Sequence, residues 1–146
     1  MFIAIIGENC VGKSTLAEKL AAELGAEIVT GKDYLRLAKS ESMAKVLFRK
    51  KMAEAVSGGD LIYVISEPDQ LALLPEGAVK ILVTADLDTI KTRFWARMRG
   101  NLPAPVEQML ERKHGMFDAG DYACRFDGTK DDAEALCAAL RQAAAR

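Results

Sequence analysis

Cysteine and histidine are scarce in this chain: there are three cysteines, Cys10, Cys124 and Cys137, and a single histidine, His114. An odd number of widely spaced cysteines excludes a disulfide framework and a Cys/His metal cluster, and a Cys-His catalytic pair would rest on one long-range coincidence. Cys124 and Cys137 read as small core residues, because unpaired cysteine is among the most buried residue types. His114 follows Arg112 and Lys113 in a polar stretch and reads as a solvated surface side chain. Charge of one sign is missing as well. With 20 Lys+Arg against 21 Asp+Glu the formal net charge is -1, so no global field draws the chain to nucleic acid or to an anionic membrane. Nor is there a long apolar run. Phe2 to Ile6 and Leu61 to Ile65 fall far short of the roughly 20 residues of a membrane helix, and Glu8 interrupts the segment where a secretory signal needs its apolar stretch. The expectations are a cytoplasmic protein with no nucleic-acid partner and no membrane contact, its oligomeric state left open. Without a linker, low-complexity tract or repeat, residues 1–146 are expected to form one domain.

What is present is an alternation of short β-like runs with longer helix-like ones. The β-like runs are Phe2 to Ile6, Ala26 to Val29, Leu61 to Ile65, Val79 to Thr84 and Tyr122 to Phe126. Most are continuously apolar, the pattern of strands covered on both faces in a parallel sheet. Leu16, Leu20 and Leu24 recur every four residues and stop at Gly25, a suitable C-terminal cap. A second helix is expected from Ser40 or Ser42 to Gly58-Gly59, with Met43, Val46, Leu47 and Val56 turned inward. Asp86 caps a third, with Ile90, Phe94 and Met98 on its buried stripe. A fourth starts near Pro105 and carries Val106, Met109 and Leu110; Asp131 and Glu134 resemble a capping box opening a last helix through Leu136 and Leu140. This order predicts an α/β fold: three layers, α/β/α, around a five-stranded parallel sheet.

Directly after the first apolar run stands Gly7-Glu8-Asn9-Cys10-Val11-Gly12-Lys13-Ser14-Thr15, which satisfies G-x-x-x-x-G-K-[ST] between a predicted strand and a predicted helix. Each position has a physical task. Glycines let the backbone wrap a phosphate, the amides from Asn9 to Thr15 converge on its oxygens, and the helix N-terminus adds partial positive charge. In that arrangement Lys13 reaches the β- and γ-phosphates of ATP and Ser14 holds Mg²⁺. The motif alone does not choose among kinases, GTPases, larger ATPases and nucleotide sensors. Thr129-Lys130-Asp131-Asp132 matches the guanine-binding pattern [NT]-K-x-D, but no D-x-x-G follows the third strand and Asp131 is already assigned to a cap. Arg93 and Arg97, spaced i, i+4, share a helix face, with Arg99 just beyond. Together with the turn-rich Gly100 to Pro105, they are expected to form a small arginine-bearing lid over about residues 93–115, neutralising the charge of a moving phosphoryl group.

These segments resemble the nucleoside-monophosphate-kinase-like branch of the P-loop small-molecule kinases, most of all the cytidylate kinase family. Ile3 to Ala17 carries the first part of the likeness, Thr30-Gly31-Lys32-Asp33-Tyr34-Leu35-Arg36 is similar to the family's acceptor segment, and Ser66 to Ala85 lies without gaps on a further stretch. The resemblance implies ATP and Mg²⁺ as cofactors, Arg93, Arg97 and Arg99 as lid arginines, and Gly128 in the loop beside the adenine. Where the family has Gly-Arg-Asp, this chain has Ser66-Glu67-Pro68, and the acceptor region between Tyr34 and Leu61 is short. An acidic residue after the second strand, here Asp33, is also similar to the shikimate- and gluconate-type kinases, where it meets the substrate hydroxyl. The expected activity is transfer of the γ-phosphoryl group to a nucleoside monophosphate or a hydroxylated metabolite, with Asp33 orienting or deprotonating the acceptor and Arg36, Glu67 and Arg99 binding it. The alternative is a nucleotide-binding regulatory module with weak or no transfer.

Overall fold

The structure is a computed structural model that describes residues 1–144. Five strands, β1 (Phe2–Ile6), β2 (Glu27–Thr30), β3 (Leu61–Ile65), β4 (Val79–Thr84) and β5 (Cys124–Asp127), form one all-parallel sheet in the order β2-β3-β1-β4-β5. The helices are α1 (Lys13–Leu24), α2 (Glu41–Ser57), α3 (Leu87–Arg97), α4 (Ala104–Lys113) and α5 (Ala133–Ala144), with three-ten helices at Asp33–Leu37 and Pro68–Leu73. The central strands β1 and β3 are buried at every residue, whereas the edge strands β2 and β5 are mostly half-buried or exposed. Continuous apolar runs therefore mark the middle of the sheet, where both faces are covered.

The period of two along a strand splits the core. Ile3 and Ile5 of β1, Ile62 and Val64 of β3 and Ile81 and Val83 of β4 pack on one side with Leu16 and Leu20 of α1 and Cys137 and Leu140 of α5. Phe2, Ala4 and Ile6, with Leu61, Tyr63 and Ile65, pack on the other with Phe48 and Met52 of α2. Two hydrophobic layers on opposite faces of one sheet give the expected three-layer α/β/α arrangement.

Several local expectations change. α2 starts at Ser40, whose hydroxyl accepts from Met43 N–H at 3.2 Å, but its inward face is Ala44, Phe48, Met52 and Ala55. Met43, Val46 and Leu47 are exposed. Phe48 decides the rotation. Its ring stacks on Tyr34 at 4.9 Å and meets Tyr63 edge-on at 4.9 Å, an aromatic burial larger than the aliphatic stripe provides. On α3, Ile90 is buried and Phe94 half-buried, while Met98 lies past the helix end and is exposed. Asp86 precedes α3 but accepts from the Thr89 hydroxyl rather than from a helix amide. The Asp131/Glu134 capping box does not form: Asp132 Oδ1 accepts from Glu134 N–H at 2.9 Å, and Asp131 Oδ2 turns back to accept from Asp127 N–H at 2.7 Å. β2 and β5 each sit a residue or two later than the apolar runs suggest, Cys137 is buried as expected and Cys124 only half-buried.

Candidate functional site

The C-terminal ends of the parallel strands carry the motif loop. β1 runs into Gly7, whose N–H donates to Ile65 O at 3.2 Å and so prolongs the β1–β3 ladder by one residue. A Cβ at Gly7 would stand 2.6 Å from Val83 O, so the strand can only turn under the sheet end here with glycine. Gly12 adopts φ 103 as the residue before α1, a left-handed conformation glycine takes without strain. Cys10 also has a positive φ, 64, an unusual requirement for a residue with a side chain. The first intrahelical bond of α1 runs from Leu16 N–H to Gly12 O, so the amides of Lys13, Ser14 and Thr15 precede it and face an anion site at the positive end of the helix dipole.

Lys13 is 7% exposed, and its Nζ donates to Gly7 O at 2.6 Å and Glu8 O at 2.5 Å, folded back over the loop it belongs to. Burial away from water pushes its pKa down to about 8, with the nearby Arg97 charge adding to the effect and Cys10, Glu8 and Glu67 opposing it. A buried cation held by neutral carbonyls is a poor end state but a good receptor for an anion. The cradle therefore fits a polyphosphate. Among the described residues no group of three or more His, Cys, Asp or Glu is placed to hold a metal, so Mg²⁺ would be carried by the phosphates with the exposed Ser14 hydroxyl as its protein ligand.

Two adjoining cavities share Cys10, Gly12, Thr15 and Arg97. The smaller, about 140 Å³, covers the cradle and is lined by Asn9, Lys13 and Ser14 together with Thr30 at the end of β2 and Ser66 just past β3. The larger, about 460 Å³, extends over α1 to Arg93, Phe126, Gly128, Asp131 and Asp132. Gly128 is where the β5–α5 loop touches the phosphate loop: a Cβ there would come within 2.0 Å of Val11 O. Arg93 spans the same seam, donating to Cys10 O at 3.0 Å and Gly128 O at 3.4 Å. Val11 itself is fully buried and anchors the loop in the core.

The structure thus brings Gly7, Asn9, Cys10, Val11, Gly12, Lys13, Ser14, Thr15, Gly128, Arg93 and Arg97 together. Asp33 and Arg36, on the three-ten helix after β2, line a different cavity of about 230 Å³ beside Glu27 and Lys51 at the sheet edge. Glu67 follows Ser66 past β3 and meets Lys113 at 3.6 Å. Arg99 has φ 57 in the turn after α3 and is exposed.

Spacing along the chain gave no sign of a third set of contacts. Glu8 Oε2 accepts from Gly115 N–H at 3.0 Å and its Oε1 lies 3.0 Å from His114 Nδ1, so the end of α4 is fastened to the phosphate loop. His114 is exposed, as its polar surroundings suggest, and it meets Glu8 because the loop after α4 passes beside the strand ends. More than a hundred residues separate the two partners, and only the fold shows that they meet.

No protein-family model and no curated protein sequence matches the chain. Solved structures do. It superimposes on a sugar kinase from Janibacter sp. HTCC2649 with a TM-score of 0.64 at 17% identity, covering 97% of this chain and 92% of that one. A gluconokinase from Sinorhizobium meliloti 1021 matches with a TM-score of 0.62 at 14% identity, over 97% and 93% of the two chains. A shikimate kinase from Bacteroides thetaiotaomicron matches with a TM-score of 0.59 at 14% identity, over 100% and 99%. The fold is the α/β fold of the P-loop kinases, and the likeness spans the chain.

Proposed function

We propose that this chain is a cytoplasmic phosphotransferase moving the γ-phosphoryl group of a Mg²⁺-bound nucleoside triphosphate onto a small acceptor, ATP being the donor that the sequence resemblance implies. The observation that carries the reading is Lys13, a cation buried in a glycine cradle with backbone carbonyls as its hydrogen-bond partners and its pKa drawn down to about 8. A polyphosphate supplies the hydrogen-bonded counter-charge that the two carbonyls do not. Lys13 and the first amides of α1 would hold the β- and γ-phosphates, Ser14 would ligate Mg²⁺, and Arg97, common to both cavities, would take up charge on the moving group. The acceptor oxygen forms the new bond to phosphorus as the bond to the β–γ bridging oxygen breaks; a carboxylate or water takes the acceptor proton.

The acceptor enters from the side of Thr30 and Ser66, whose residues line the phosphate cavity. Glu67 beside them repels a phosphate and suits a hydroxyl, which favours a hydroxylated metabolite over a nucleoside monophosphate, although Lys113 at 3.6 Å partly neutralises it. Arg99 would complete the acceptor contacts in this proposal, and Asp33 and Arg36, which line the separate cavity beside Glu27 and Lys51, would have to turn from it to take part. The small volume at the phosphate end, about 140 Å³, favours the second reading, a nucleotide-binding module with little transfer. Incubation with Mg²⁺ and labelled triphosphate, with and without a panel of hydroxylated metabolites and nucleoside monophosphates, separates the two. Acceptor-stimulated release of diphosphate that disappears in Lys13→Ala supports the kinase; tight binding that no acceptor converts into turnover supports the module.

A further inference from the structure

The larger cavity ends on two carboxylates. Asp131 and Asp132, in the loop from β5 to α5, line it together with Gly128 and Phe126. The cavity is a nucleotide site on grounds independent of these acids, since it shares Cys10, Gly12, Thr15 and Arg97 with the phosphate pocket and rests on the reading of that pocket given above. A nucleoside whose triphosphate lies on the cradle has this space, about 460 Å³, for its base.

The loop is rigidly built. Asp127 O accepts from Asp131 N–H at 2.9 Å while Asp131 Oδ2 accepts from Asp127 N–H at 2.7 Å, and Gly128 N–H donates to Thr84 O at 2.7 Å. Asp132 Oδ1 is committed to Glu134 N–H at 2.9 Å. Each carboxylate thus has one oxygen fixed by backbone, and the second, Asp131 Oδ1 or Asp132 Oδ2, takes no hydrogen bond from the described residues. An ionised carboxylate only accepts. It pairs well with a base edge that carries adjacent donors and badly with one that places a lone pair beside its donor. Guanine offers N1–H and the N2 amino group side by side; adenine offers its N6 amino group next to the N1 lone pair. Across the cavity, Arg93 is held by the carbonyls of Cys10 and Gly128, giving the base a planar guanidinium to stack on.

We infer that Asp131 and Asp132 make the base pocket select guanine, so that a guanosine triphosphate rather than ATP is the preferred donor. The Thr129-Lys130-Asp131-Asp132 segment, in which the expected Asp131 capping box does not form, is then a specificity determinant. Discrimination by a two-donor contact to a carboxylate is expected to be roughly tenfold or more in affinity.

Calorimetric titration of the whole chain with Mg²⁺ complexes of GTP, ITP and ATP tests this in wild-type protein. ITP keeps N1–H and lacks the N2 amino group, so the expected order is GTP tightest, ITP intermediate, ATP weakest. In Asp131→Asn and Asp132→Asn, which can keep the backbone contacts through the amide oxygen, the GTP preference should shrink at least severalfold in one or both, with thermal melts reporting that the fold persists. Equal affinities for GTP and ATP, or an ATP preference, overturn the inference and leave the phosphotransferase reading intact. If equal affinities come with weakened binding of the 2′-deoxy nucleotides, the carboxylates hold the ribose instead. A GTP preference untouched by both substitutions also overturns it. Failure of every nucleotide to bind removes this inference and the proposed function together.

Discussion

The proposed phosphate-binding role of Lys13 predicts that nucleotide affinity depends on pH in a defined direction. In the free protein burial lowers its pKa from 10.5 to about 8, so the cation is lost as pH rises through that value. A bound polyphosphate replaces the missing counter-charge and returns the group to about 10.5 or above. Between those two values the complex holds a proton that the free protein lacks, and affinity falls as pH rises. At about pH 9.5, about 3% of the free protein carries the charged lysine, so affinity should be roughly thirtyfold weaker than at pH 7. Calorimetric titration with a Mg²⁺-nucleotide in two buffers of different ionisation enthalpy measures both quantities: the affinity loss, and an uptake of nearly one proton per binding event near pH 9. Lys13→Met should bind weakly at every pH and show neither effect. An affinity that stays flat from pH 7 to about 9.5 in the wild type, with no proton uptake, refutes the argument that burial, aided by Arg97, draws this lysine's pKa down to about 8 and that phosphate relieves it.

The same burial penalises the folded state below pH 8, by about 3 kcal/mol for a shift from 10.5 to about 8. Lys13→Met removes it at a cost of about 1 kcal/mol for each of the two lost hydrogen bonds, so the variant should be about 1 kcal/mol more stable to urea at pH 7, the gain vanishing at about pH 9 and reversing above it. Gly128→Ala places a Cβ within 2.0 Å of Val11 O and should cost about 1–3 kcal/mol in thermal or urea unfolding while weakening nucleotide binding at least tenfold; wild-type behaviour in both would contradict the close contact. Phe48→Ala should lose about 3–5 kcal/mol, since the ring is fully buried between Tyr34 and Tyr63. Met43→Ser and Val46→Ser on the same helix should change stability by less than about 0.5 kcal/mol, and a large loss from either would reverse the assignment of the buried face.

The legible parts of the sequence were those where one local signal decides. β1, β3 and β4 start and stop where their apolar runs do, since strands covered on both faces need no partner to declare them. The phosphate loop is legible for a similar reason: its glycines, Lys13 and Ser14 act within one turn of chain. Helix α2 shows the limit. Its sequence offers two apolar stripes, and the choice falls to Phe48 because Tyr34 and Tyr63, distant in sequence, form the surface it meets. Asp131 is similar, since its backbone partner Asp127 lies before it rather than in the helix it seemed to open. The larger cavity and the Glu8–His114 contact depend on which loops cross the strand ends, and no spacing rule encodes that crossing.

The stretch expected to act as a lid is moored at both ends to the same loop, by Arg93 on Cys10 O and by His114 and Gly115 on Glu8. A segment held this way behaves as a bridge between two piers rather than as a door on one hinge. Between the two moorings lies the span from Met98 to Pro103, where Arg99 and Gly100 take positive φ angles. Any ligand that reshapes the phosphate loop moves both piers at once. A ligand that reshapes the cradle is therefore expected to shift the segment carrying Arg97 and Arg99, and any such coupling acts equally in both directions.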